Sequence, residues 1–72
     1  MTIKKDMFLF VDYANETTRK IQAYTLKDLI AQALDIDEDS KELHHEMKGI
    51  STYEYNTFVN RTSGYCIILL NK

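Results

Sequence analysis

The stretch Tyr24-Thr25-Leu26-Lys27-Asp28-Leu29-Ile30-Ala31-Gln32-Ala33-Leu34 decides how the rest of the chain is read. Leu26, Leu29, Ile30, Ala33 and Leu34 recur at i, i+3, i+4, i+7 and i+8, the spacing of one apolar helix face. Thr25 stands where an N-cap belongs. Asp28 follows at the capping-box position, where a carboxylate also meets the positive end of the helix. Tyr24 and Leu29 have the spacing of a hydrophobic staple. The pattern predicts a helix over 26–34.

On the N-terminal side of this helix, Met7 to Tyr13 and Thr18 to Tyr24 are rich in aromatic and β-branched residues and flank the polar stretch Ala14 to Thr17, which predicts a β-hairpin. On the C-terminal side, Asp35 to Asp39 interrupts the apolar pattern. Asp39 or Ser40 can cap a second, shorter helix that runs through Glu42, Leu43 and Met47 to a stop at Gly49. Thr52 to Asn60 alternates as a single strand, Arg61-Thr62-Ser63-Gly64 makes a turn, and Tyr65 to Leu70 makes the last strand. The expectation is one α+β domain over residues 1–72 in ββααββ order. Its sheet would be four-stranded and mostly antiparallel, packed with one long and one short helix.

Composition narrows the function classes. A chain of 72 residues buries only about 60% of the surface it exposes when unfolded, enough for a modest core but not for a second domain or a deep substrate cavity. Hydrophobic residues at 44% and charged residues at 28% are globular values, which argues against disorder. The net charge of -2 has the wrong sign for a protein that neutralises phosphates, so nucleic acid is a poor partner. The single cysteine, Cys66, rules out an internal disulfide and fits a reducing cytoplasm. Five consecutive apolar residues, Met7 to Val11, are too few for a signal-peptide core or a membrane span. The sequons at Asn15 and Asn60 therefore read as turn chemistry.

The hairpin followed at once by a capped helix, over residues 7 to 34, resembles the opening of the β-grasp or ubiquitin-like fold. A ubiquitin-type carrier ends in a Gly-Gly pair on a flexible tail, whereas this sequence closes Ile67-Ile68-Leu69-Leu70-Asn71-Lys72, so the resemblance implies the layout and not conjugation. The whole chain also looks like the short single-domain accessory proteins that bacteriophages encode to bind and redirect host proteins. That resemblance implies an inhibitor or adaptor acting in the host cytoplasm.

Charge is unevenly spread, with net values of +1 over residues 1–34, -4 over 35–49 and +1 over 50–72. Asp35, Asp37, Glu38, Asp39, Glu42 and Glu46 carry the acidity, which can steer a basic partner surface or can be a solvated face at a helix start. On the second helix Glu42, His45 and Glu46 share a face at i, i+3 and i+4 and could in principle meet a metal ion. Unpaired surface side chains are the plainer reading, and neither a metal nor a cofactor is expected. Tyr53 and Tyr55 are candidate interface anchors, or else strand positions packed on their neighbours. Cys66, inside an apolar run, reads as a buried small hydrophobe. No nucleophile sits in a motif with a base, and two glycines, Gly49 and Gly64, cannot build a phosphate loop.

The first and last strands of the sequence carry the best partner signal. Met7, Leu9 and Val11 alternate with Phe8 and Phe10, and Cys66, Ile68 and Leu70 with Tyr65, Ile67 and Leu69, so both faces of these strands are apolar and both need cover. The first helix covers one face. The other falls to the second helix, which has only Leu43, Met47 and Ile50 to offer, or to another chain. The sequence thus points to a non-enzymatic protein-binding module, with a homodimer joined through its sheet face as the alternative. The candidate contacts are Asp37, Glu38, Asp39, Glu42, Glu46, Tyr53 and Tyr55.

Overall fold

In the computed structural model, which describes residues 4–70, Thr25 has extended backbone and its Oγ1 accepts a hydrogen bond from the Asp28 N–H at 3.0 Å. Helix α1 therefore begins at Leu26, and it runs to Leu34. The Asp28 carboxylate accepts in return from the N–H of Tyr24 at 2.9 Å, a capping box displaced one residue outward. Tyr24 itself is exposed, with the Lys5 ammonium 5.2 Å from its ring centroid. At the other end Asp35 takes the left-handed conformation (φ 55°), and the Ile36 N–H reaches back to the Ala31 carbonyl at 3.0 Å. This is a Schellman stop in which a short polar residue tolerates the position usually given to glycine.

Helix α2 spans Lys41–Lys48, and Ser40 is its cap: Ser40 Oγ accepts from the Leu43 N–H at 3.1 Å. At nine and eight residues the two helices are nearly equal, not one long and one short. Gly49 ends α2 with an ordinary helical φ of -81°. Its lack of a side chain matters for space, since a Cβ there would stand 3.0 Å from Asn60 Nδ2.

The strands are β1 (Asp6–Asp12), β2 (Thr17–Ala23), β3 (Ile50–Glu54), β4 (Thr57–Asn60) and β5 (Tyr65–Leu69). They form one sheet in the order β2-β1-β5-β4-β3, with every neighbouring pair antiparallel. Two expectations change. The sheet has five strands and the order is ββααβββ, because the segment expected as one strand over 52–60 folds back at Tyr55 and Asn56. Asn56 fixes that reversal: its carbonyl accepts from the Leu69 N–H at 2.8 Å, and its side-chain amide donates to the Leu69 carbonyl. Neither loop residue has positive φ, so the turn is not of the primed type that matches strand twist, and a register shift between Thr52 and Glu54 takes up the mismatch.

The second change concerns the layers. Phe8, Phe10, Ile21, Ala23, Tyr65 and Ile67 form one core with Leu29, Ile30 and Ala31 of α1 and Leu43 of α2. Phe10 and Tyr65 meet within it at 5.0 Å between ring centroids. Both helices thus lie on the same side of the sheet. The short apolar stripe of α2 is spent entirely on the core beside α1, so it covers none of the opposite face. Among the described residues no helix is long and apolar enough to cross a membrane.

Candidate functional site

Strand register assembles the face that the helices leave open. Leu9 stands beside Lys20 on one side and Ile68 on the other; Ile68 stands beside Thr57, and Thr57 beside Glu54. One row across all five strands therefore reads Lys20, Leu9, Ile68, Thr57, Glu54. The adjoining row reads Thr18, Val11, Cys66, Val59, Ser51. Residues that pair directly across an antiparallel ladder share a face, so both rows lie on the side away from Phe8, Phe10 and Ile67. The three central strands give the face an apolar middle, and the two edge strands give it polar margins.

Tyr13 and Tyr53 stand above this middle. With Arg61 they line a depression of about 400 Å³ floored by Thr57, Val59, Cys66 and Ile68. The Tyr13 hydroxyl donates to Cys66 Sγ at 3.1 Å, and that bond to the thiol holds the phenol above its ordinary pKa. Tyr13 is 58% exposed and Tyr53 65%, while Cys66 beneath them is only 6% exposed. Cys66 is thus buried, as its apolar company suggests, although it lies on the open face and owes part of its cover to a tyrosine that the sequence pattern does not single out.

The other sequence candidates fall into separate groups. Asp37, Glu38, Asp39 and Glu42 are exposed at the loop between the helices and the start of α2, on the helical side of the molecule. Glu38 and Asp39 border a shallow depression of about 550 Å³ together with Lys27 and Lys41, so cations are interleaved with the acids there. Tyr55, 90% exposed, projects from the β3–β4 turn and lines a small recess with Asn56, Leu69 and Leu70. The turn and the shifted register separate it from Tyr53, which the expected single strand would have placed on the same face.

Glu46 leaves the acidic surface altogether. Its carboxylate accepts from Tyr65 Oη at 2.8 Å, from Ser63 Oγ at 2.9 Å and from Asn60 Nδ2 at 3.3 Å. Asn60, 1% exposed, also donates to Tyr65 Oη, and its Oδ1 accepts from the Ser63 N–H at 3.0 Å. Burial, followed by the bond to Glu46, pushes the Tyr65 phenol far above its ordinary pKa. This network fastens α2 to the β4–β5 hairpin and engages Glu46 there, while Glu42 and His45 stay exposed. Among the described residues no group of His, Cys, Asp and Glu could hold a metal ion. Asn60, read from the sequence as the end of a strand and as turn chemistry, is the polar centre of this fastening.

Compared with known proteins, the chain matches no family model, no curated protein and no solved structure.

Proposed function

We propose that this protein is a non-enzymatic protein-binding module whose interface is the helix-free face of its sheet. The observation that carries the reading is the make-up of that face. Leu9, Val11, Val59 and Ile68 form a contiguous apolar centre, overlooked by two exposed tyrosines and edged by Lys20 and Glu54. An apolar centre with aromatic anchors and a charged margin is the anatomy of a protein interface. Through this face the chain either occupies a surface of another protein, as an inhibitor or adaptor of the phage or mobile-element type, or joins a second copy of itself. The acidic loop between the helices serves solubility, not contact.

Paired variants test the reading. Leu9→Thr with Ile68→Thr puts strand-favouring β-branched residues at both positions while removing the apolar centre. A protein retained on immobilised wild-type chain should be lost from this double variant and kept by a variant with Asp37, Glu38 and Glu42 neutralised. The opposite pattern would move the interface to the helical side.

A further inference from the structure

We infer that the occupant of the open face is a second copy of this chain, seated about a two-fold axis that runs along β5. The inference rests on reading this face as an interface, and it adds what binds there and in which orientation. Three observations carry it.

The first is the distribution of charge along the central row. Lys20 and Glu54 stand at opposite ends of it, four strand spacings or about 19 Å apart, with Leu9, Ile68 and Thr57 between them. Two identical sheets can meet face to face about two in-plane two-fold axes. An axis across the strands sets each strand on its own copy, so no position of it brings Lys20 over Glu54. An axis along β5 reverses the strand order, so β2 lies over β3, and β1 over β4, of the second copy. Lys20 then faces Glu54 twice, Val11 faces Val59 and Ile68 faces itself. Leu9 faces Thr57, and of the two arrangements only this one pairs the charges at both margins. Sheets that pack about 10 Å apart leave a gap that Lys and Glu side chains can span.

The second observation is the rim. Tyr13 continues β1 and Arg61 continues β4, both bordering the same depression. The axis along β5 lays β1 over β4 of the other copy, which brings each Tyr13 ring towards the Arg61 guanidinium opposite, a favourable cation–π pairing.

The third is the state of the edges. β2 presents Arg19 and Lys20, and β3 carries the register shift between Thr52 and Glu54. Both are devices that discourage a further strand from adding at an edge, which leaves the face as the route to association. The apolar centre is confined to three short strands, so the dimer is weak and depends on concentration, with a dissociation constant on the order of 100 µM.

Sedimentation equilibrium at low salt, with folding checked by circular dichroism, tests the proposal. Wild-type chain should self-associate near that concentration. Lys20→Glu alone and Glu54→Lys alone each create two like-charge contacts, and each should weaken association by about tenfold. An equimolar mixture of the two variants restores both opposite-charge contacts between unlike chains, so its association should return to within about threefold of wild type. No misfolding of a single variant can produce rescue in trans. Self-association that ignores both reversals, or a mixture that stays monomeric, would overturn the axis along β5. A strict monomer that still binds a hydrophobic dye, with the dye lost in Leu9→Thr/Ile68→Thr, would overturn the second copy and leave the interface reading intact. A strict monomer that binds no dye would overturn both.

Discussion

The Tyr65 hydroxyl donates to Glu46 Oε1 at 2.8 Å, joining the first residue of β5 to the last turn of α2 at the edge of the core. The same hydroxyl accepts from Asn60 Nδ2 at 3.2 Å, so one oxygen links two strands and a helix. Tyr65→Phe keeps the ring against Phe10 but leaves Glu46 and the buried Asn60 each short of a partner. It should cost about 1–3 kcal/mol, read from the shift in denaturant midpoint.

The same hydroxyl sets the response to alkali. The phenol is held above its ordinary value in the folded chain, chiefly by burial and then by the bond to Glu46. Above pH about 10 the unfolded chain therefore releases this proton while the folded chain retains it. Stability from this group is complete below that pH and is lost as pH rises beyond it. Denaturation followed through the alkaline range should show a steeper loss for wild type than for Tyr65→Phe, and parallel curves would contradict the assignment.

The two glycines separate two kinds of requirement. At Gly49 a methyl group would stand 3.0 Å from the amide of Asn60, which is held by Glu46 and Tyr65 and cannot easily retreat. Gly49→Ala should cost about 1–3 kcal/mol through overpacking. Gly64 has φ +78° and open space around it. Gly64→Ala should cost about 1–2 kcal/mol from backbone strain alone. Adding Asn60→Ala should relieve the first penalty and leave the second unchanged, a comparison that thermal unfolding can make directly.

Helix α1 supplies the largest single losses. Leu29 and Ile30 are completely buried in the core, so Leu29→Ala or Ile30→Ala should each cost about 2–5 kcal/mol. Thr25→Ala, which removes only the cap to Asp28, should cost about 1 kcal/mol. Equal losses at all three positions would mean that α1 is held by its ends and not by its face.

The difference between those positions shows why α1 was legible in the sequence and the β3–β4 hairpin was not. The cap, the apolar stripe and the stop of α1 are all local, and each lies within a few residues of the backbone group it satisfies. The reversal at Tyr55 and Asn56 is fixed from outside, by the carbonyl and N–H of Leu69 thirteen residues away, so its own sequence still alternates like a strand. The open face was half legible. Alternation announced that Leu9, Val11 and Ile68 needed cover, but Leu43 of α2 packs into the core beside α1, and the partners of Glu46 that fasten α2 there, Asn60, Ser63 and Tyr65, lie 14 to 19 residues away. The spacing of acids in the sequence suggested a shared acidic surface, and it could not reveal that one member had turned inward.

That division assigns different roles to the two sides of the molecule. Asp37, Glu38 and Glu42 lie with the helices, and the sheet stands between them and the row from Lys20 to Glu54. Neutralising all three should leave the self-association constant within about twofold at moderate salt, where charges more than about 10 Å from the interface are screened. At low salt the variant should associate somewhat faster, because two chains of net charge -2 then repel each other less. A large loss of association in this variant would place the acids inside the interface.

Cys66 offers a probe of the open face that needs no partner. The thiol lies on that face yet is only 6% exposed, with the Tyr13 hydroxyl bonded to its sulfur. If the ring of Tyr13 is the shield, Tyr13→Ala should speed reaction of Cys66 with a thiol reagent by about tenfold or more in the folded chain, while Tyr13→Phe keeps the ring and should stay close to wild type. Reaction by way of unfolding would instead follow global stability, so measured denaturant midpoints separate the two routes. A second copy seated on the face adds protection that grows with protein concentration. The Tyr13→Ala chain should therefore react more slowly at high concentration than at low. Rates independent of both Tyr13 and concentration would mean that Cys66 is sheltered by the strands alone.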